Sequence, residues 1–215
     1  MIGVIFAKDV DNTDEGVEKV QELLRNAEQD AREKFSAFKS HGEHPHIIAW
    51  RQAYKRFGSD PHQYRCSAES LVRRVLKGDT IPHINKLVDL YNYVSLAHVL
   101  PVGGEDMQAI HGNVHLAFAE GTEQFVRLNG TENEPPTEGE VVYKDDDGIL
   151  CRRWNWREAD RTKLTQATKN VIIVIDALAP STKMDVEIAT TELADLIRQY
   201  CGGDVTSFVS TGAKH

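Results

Sequence analysis

From Ile84 to Leu100 the chain is apolar on nearly every side, which predicts a helix enclosed by the rest of the fold. Pro82 starts this segment and Pro101 ends it. Asn85, Asp89 and Asn92 stand four and three residues apart, so they should share one helical face and be hydrogen-bonded there. That face is a first candidate site. Apolar steps of three and four recur at Val17, Val20, Leu23, Leu24, Ala27, Ala31, Phe35 and Phe38, then at Ile47, Trp50, Tyr54 and Phe57. These predict a long amphipathic helix followed by a second one. Ser67 is a candidate cap for a helix holding Leu71, Val72, Val75 and Leu76. Ser181 or Thr182 caps a closing helix through Val186, Leu193 and Tyr200.

Elsewhere the rhythm has period two or is continuous. Ile2 to Ala7 reads as a buried strand and Asn170 to Ala177 as the most buried one. Val114, Leu116 and Phe118 alternate with His115 and Ala117, giving a strand with one strongly apolar face. Phe125 to Leu128 is read as a further strand closed by Asn129-Gly130, and Glu140–Lys144 pairs with Ile149–Trp154 across Asp146-Asp147-Gly148 as a hairpin. Val205 to Val209 adds an edge strand. Val102 to Asp106 reads as a loop in which Gly103 and Gly104 let backbone approach closely. Helices first, then several strands, then a helix predict an α+β fold: a mixed, largely antiparallel β core flanked by helices. Residues 1–66 are read as an N-terminal strand and helical extension packed on the core, and residues 67–215 as the main domain.

Charge changes this picture in one place. The 215 residues carry a formal net charge of −8, which argues against a wholly basic nucleic-acid surface and against DNA as partner. Between Arg51 and Lys77, however, seven basic residues face two acidic ones, a local balance of +5. This island, with Arg73 and Arg74 at its centre, reads either as a phosphate-contacting face or as a solvated helix face. Cys66, Cys151 and Cys201 are too widely spaced for a zinc pattern or a disulfide framework, which fits a reduced, cytoplasmic setting. No signal peptide and no membrane span are legible. His41, His44 and His46 lie close together, but Gly42 and Pro45 explain the segment as a helix connector. Neither a metal nor a cofactor is expected.

Ile84-Asn85-Lys86-Leu87-Val88-Asp89-Leu90-Tyr91-Asn92-Tyr93-Val94, followed by Pro101, resembles the helix signature of the B3/B4 region in the β subunit of phenylalanyl-tRNA synthetase. Upstream, Leu71 to Leu76 resembles the basic helix before that signature. Downstream, Thr168-Lys169-Asn170-Val171-Ile172-Ile173 is similar to the family's "T-x-N-V-L-L", and Gly202-Gly203 falls where it has "A-G-G". The resemblance covers roughly Ser67 to Val205 and implies a stand-alone B3/B4-like domain. In that family the region is similar to an editing site that hydrolyses the ester of a wrongly attached amino acid on tRNA. Such a site needs little beyond a positioned ester, a water and groups that recognise the amino acid.

The resemblance implies tRNA, through its aminoacylated 3' end, as partner, and a trans-acting deacylase as function. The alternatives are a non-catalytic RNA-binding module and a small-molecule pocket for an amino acid or its adenylate; the oligomeric state is left open. Asn92 matches the family's pocket asparagine, Pro101 its loop proline, and Lys86 a helix position that is basic in some members. Gly103 stands where the family has histidine. Cys151 to Glu158 stands where it has a run of small residues, and Val174 where it has an acid, with Asp176 the nearest carboxylate on that strand face. Asn92, Glu158 and Asp176 are therefore the catalytic candidates, although Asp176 could equally cap a strand end. Lys86, Pro101, Gly103, Gly104, Arg152, Arg153 and Asn155 are the substrate-binding candidates. Trp154 and Trp156 join Arg73 and Arg74 as RNA-binding candidates, with simple packing as the other reading of the tryptophans. With the small wall replaced by bulky polar residues, the expected substrate carries a small or polar amino acid rather than tyrosine. Asn92, the Gly103-Gly104 segment and residues 152–158 should meet in one cleft.

Overall fold

A computed structural model describes residues 1–212; the domain end at 215 lies outside the described residues. Among the described residues, eight strands form two antiparallel sheets of four. The first has the order β2 (Val102–Asp106), β7 (Val171–Asp176), β1 (Ile2–Lys8), β8 (Asp204–Ser210). The second runs β3 (His115–Phe118), β4 (Val141–Lys144), β5 (Ile149–Arg152), β6 (Arg157–Glu158). Five helices accompany them: α1 (Val17–Phe35), α2 (Pro45–Arg56), α3 (Ser67–Leu76), α4 (Lys86–His98) and α5 (Lys183–Tyr200). The α+β architecture read from the sequence is the one observed.

Strand periodicity decides which face of the first sheet meets what. Val171, Ile173 and Ile175 of β7 are fully buried in the main core with Ile5, Leu87, Leu90, Val94 and Leu193. On that side α5 lies so close to β1 that a Cβ at Gly3 would stand 2.1 Å from Thr190 Oγ1. Ile172, Val174 and Asp176 point the other way, toward Tyr143, Leu150 and Cys151 of the second sheet. The space between the sheets at this point is where the candidate site forms.

The helix read as enclosed is enclosed. From Lys86 to Leu90 every residue of α4 is buried, and Leu96 joins Leu24, Ala31, Val72 and Val75 in a second core under α1 and α3. The helix starts two residues later than its apolar run, because the Asn85 side chain caps it by accepting from the Val88 N–H at 3.0 Å. Ile84 is left 54% exposed. Asp89 is also spent on structure: its carboxylate lies 2.7 Å from His83 Nδ1 and accepts from the Ile84 N–H. Thr182 caps α5 in a reciprocal box with Asp185, and His44 caps α2 by accepting from the His46 N–H.

Four expectations are corrected, and one strand face is found open. The segment 102–106 is a strand, β2, not a loop: two glycines hide its propensity, and pairing along β7 supplies the backbone partners. Phe125–Leu128 makes only isolated bridges, Val126 to Asn133 and Arg127 to Ala159. The apolar face of β3 is not covered, since Leu116 and Phe118 are 38% and 70% exposed. The strand running to Trp154 stops at Arg152, where Arg153 and Trp154 take positive φ values of 47° and 67° and the chain turns. Residues 1–66 are not all an extension, because β1 lies between β7 and β8 inside the first sheet.

Candidate functional site

Two hollows share one wall. A chamber of about 40 Å³ lies between the sheets, lined by Gly103, Glu105, Tyr143, Cys151, Trp154 and Asp176 among others. Outside it, a cleft of about 300 Å³ opens between α3, α4 and the turn at 153–156, with Ser70, Arg74, Tyr91, Asn92, Trp156 and Arg157 on its sides. Ser67, Val102, Asn155 and Glu158 line both. The expected meeting in one cleft is met only in part: Asn92 and residues 155–158 face the cleft, Gly103 lies in the chamber behind them, and Gly104, Arg152 and Arg153 line neither. A third hollow of about 350 Å³, with Val88, Gly104, Leu128 and Leu164 on its walls, again reaches Tyr91 and Glu158.

The wall between chamber and cleft is held by a chain of hydrogen bonds. Tyr54 of α2 donates to Asn155 Oδ1 at 3.0 Å, Asn155 Nδ2 donates to Asp176 Oδ2 at 3.2 Å, and Tyr143 donates to Asp176 Oδ1 at 2.8 Å. The Asn155 carbonyl accepts the Ser67 N–H at the start of α3. Burial raises the Asp176 carboxyl above its ordinary value even though Tyr143 and Asn155 stabilise its charge. The Trp154 indole N–H lies against this group, yet it is shut from solvent without a well-formed hydrogen bond.

Glu105 and Glu158 form the other polar feature. Their carboxyls contact one another, and burial raises both above the ordinary glutamate value, that of Glu105 the more strongly, with the Glu158 charge adding to its shift. Gly103 makes room for them: a Cβ there would stand 2.6 Å from Glu158 Oε1. Cys151 offers no nucleophile, since burial drives its thiol well above the ordinary value and keeps it protonated.

Several sequence candidates fall elsewhere. Arg152 and Arg153 do not face a substrate; they are spent on the buried Glu140 carboxylate. Arg152 donates to it from Nε at 2.9 Å and Nη2 at 2.8 Å, and Arg153 from Nη1 at 2.7 Å. Lys86 is buried against the segment after β1, where Nζ donates to the Glu15 carbonyl at 3.3 Å. Pro101 lines neither chamber nor cleft, although its carbonyl accepts the Asp176 N–H at 2.9 Å. Arg73 is half-buried off the cleft, whereas Arg74 is on its rim with Nε donating to the Thr80 carbonyl. Trp154 packs edge-on against Trp50 at 5.0 Å, so it is no stacking platform. Trp156 lines the cleft but has the Arg157 guanidinium 4.7 Å from its ring centroid. Ser67 is not the cap of α3, a place taken by Cys66.

Sequence reasoning missed Glu105, Tyr143, Tyr91 and Arg157. The doublet Glu105-Asp106 after two glycines was a signal for the first. The others became site residues only through sheet and helix packing.

The B3/4 domain family model matches residues 49–202, from within α2 to just past the end of α5. The chain belongs to the B3/4 domain family. Among similar proteins is the phenylalanine–tRNA ligase beta subunit of Fusobacterium nucleatum subsp. nucleatum, 25% identical over 149 residues, with 59% of this chain and 18% of that subunit covered. The B3/4 chain thus spans less than a fifth of that relative. An N-terminal fragment of the phenylalanyl-tRNA synthetase beta-subunit from Pyrococcus horikoshii overlays with a TM-score of 0.47 at 18% identity, covering 56% of this chain and 41% of the fragment. The B3/4 match includes every residue of the chamber and cleft named above.

Proposed function

We propose that this B3/4 chain is tRNA-associated and hydrolyses the ester of a mischarged aminoacyl-tRNA in trans. The supporting observation is a single cleft with cations at its rim and a carboxyl at its floor: Arg74 and Arg157 outside, Glu158 within, and Asn92 between. Phosphates near the 3' end pair with the two guanidiniums. The terminal ester then reaches the floor, where Asn92 and Ser70 supply donors to its carbonyl oxygen.

Glu158, in its ionised form, accepts a proton from a water at the floor. The water oxygen bonds to the ester carbonyl carbon, the bond to the ribose oxygen breaks, and that oxygen regains a proton. Free amino acid and uncharged tRNA leave. No covalent enzyme intermediate is required, so Gly103 in place of histidine removes one positioning group without removing the base.

A panel of aminoacyl-tRNAs tests the reading. Release of at least one amino acid faster than in buffer, lost in Glu158→Gln, is expected. Tyr-tRNA(Phe) is expected to be spared. No acceleration for any member would overturn it, and binding of uncharged tRNA without hydrolysis would point instead to a non-catalytic RNA-binding module.

A further inference from the structure

Three acids reach the chamber, and they are not equally provided for. Asp176 receives Tyr143 and Asn155. Oε2 of Glu105 and Oε2 of Glu158 are shut from solvent without a well-formed hydrogen bond, and the Thr162 hydroxyl beside Glu105 is equally unpaired. Two carboxyls in contact satisfy one another only by sharing a proton. Two further polar atoms on the chamber wall are equally bare: Ser67 Oγ, where chamber meets cleft, and the Trp154 indole N–H. The cavity is thus lined by two carboxyl oxygens without a well-formed bond, a bare hydroxyl that can accept or donate, and a bare indole N–H. Its volume of about 40 Å³ exceeds the roughly 10–15 Å³ that one water requires, so a small polar group fits.

We propose that this chamber is a subsite for a primary ammonium group, the α-ammonium of the aminoacyl ester, with Glu105, Glu158 and Ser67 as its acceptors. An ammonium brings three N–H donors to a place where the shared proton supplies one, and its charge answers that of the pair. On entry it displaces that proton to solvent, so binding strengthens as pH rises. The ester carbonyl, one carbon away, comes to the chamber mouth on the side of the cleft that Asn92 and Ser70 line. An N-acylated amino group is rejected because it is uncharged and offers a single N–H.

The proposal takes the identity of the ammonium from the ester-hydrolysis reading, but the binding chemistry stands without it. Methylammonium is the probe, titrated into the full chain while tryptophan fluorescence reports on Trp154. Saturable binding on the order of 10 mM is expected for so small a cation, tightening with pH and weakened about tenfold or more in Glu105→Gln. Gly103→Ala, which pushes a methyl against Glu158, should weaken it likewise and decides the matter if Glu105→Gln does not fold. On the substrate side, N-acetylated aminoacyl-tRNA should be hydrolysed at least about a hundredfold more slowly than the free-amino form. Glu105-dependent methylammonium binding without hydrolysis of any ester would sink the functional reading alone. Equal hydrolysis of free and N-acetylated esters, or methylammonium binding indifferent to both variants, would overturn the ammonium subsite.

Discussion

Glu140 carries two buried arginines on one carboxylate, and its loss would leave both uncompensated. Burial alone would raise its carboxyl, but the Arg152 hydrogen bonds and the two guanidinium charges outweigh that and hold it below the ordinary value of 4.5. The stabilisation is therefore present above the unfolded value and is lost as pH falls through the folded one. Glu140→Gln should cost about 3–5 kcal/mol near pH 7 by denaturant unfolding. The gap to the parent protein should narrow in acid; a constant gap would contradict the assignment. Glu158 has the opposite sign. Its raised carboxyl means that the base form grows in only as pH climbs past the ordinary glutamate range. Hydrolysis should rise with pH over that interval, and Glu158→Gln should lower the rate about 10²–10⁴-fold where the base is ionised, the gap closing toward acid. A flat profile in the parent protein would remove Glu158 from the base role.

Among the elements, α4 depends most on one side chain. Asn85 caps its N-terminus and also donates from Nδ2 to the Leu164 carbonyl at 3.1 Å, tying the helix to the segment before β7. Asn85→Ala should cost roughly 2 kcal/mol, a cap plus a buried hydrogen bond, read as a lowered Tm; an unchanged Tm would show the cap to be dispensable. This helix was legible because a long apolar run between two prolines has few other solutions. β1, β7, β8 and the β4–β5 hairpin were legible for a similar reason, since apolar runs or a Gly-containing turn fixed them locally. β2 was not: Gly103 and Gly104 carry no strand propensity, and the strand exists through its register with β7. Residues 153–156 were misread as strand because alternation of charge and tryptophan mimics period two, while the positive φ of Arg153 and Trp154 leaves no mark in composition. The site was legible in part. Asn92, Gly103, Asn155, Glu158 and Asp176 were named from sequence and do converge, whereas the Glu140 network that consumes Arg152 and Arg153 depends on contacts across 12 and 13 residues.

For the molecule as a whole, the proposed function asks a chain of net charge −8 to meet a polyanion through a small part of its surface. The proposed rim supplies two guanidiniums, Arg74 and Arg157. The double charge reversal Arg74→Glu with Arg157→Glu should weaken tRNA binding and flatten the plot of log affinity against log salt by about 1.4, two single-strand phosphate contacts. An unchanged slope would move the RNA contact elsewhere. No helix among the described residues is long and apolar enough to cross a membrane. The hydrogen-bonded chain from Tyr54 through Asn155 and Asp176 to Tyr143 has an optical consequence. Burial lifts both phenols far above the ordinary value of 10, and the neighbouring Asp176 adds to the effect. In an alkaline titration followed by phenolate absorbance, these two and Tyr91, whose phenol burial also lifts far above the ordinary value, three of the six tyrosines, should stay dark until the wall between chamber and cleft gives way. The last step in the ultraviolet would then report the opening of the site itself.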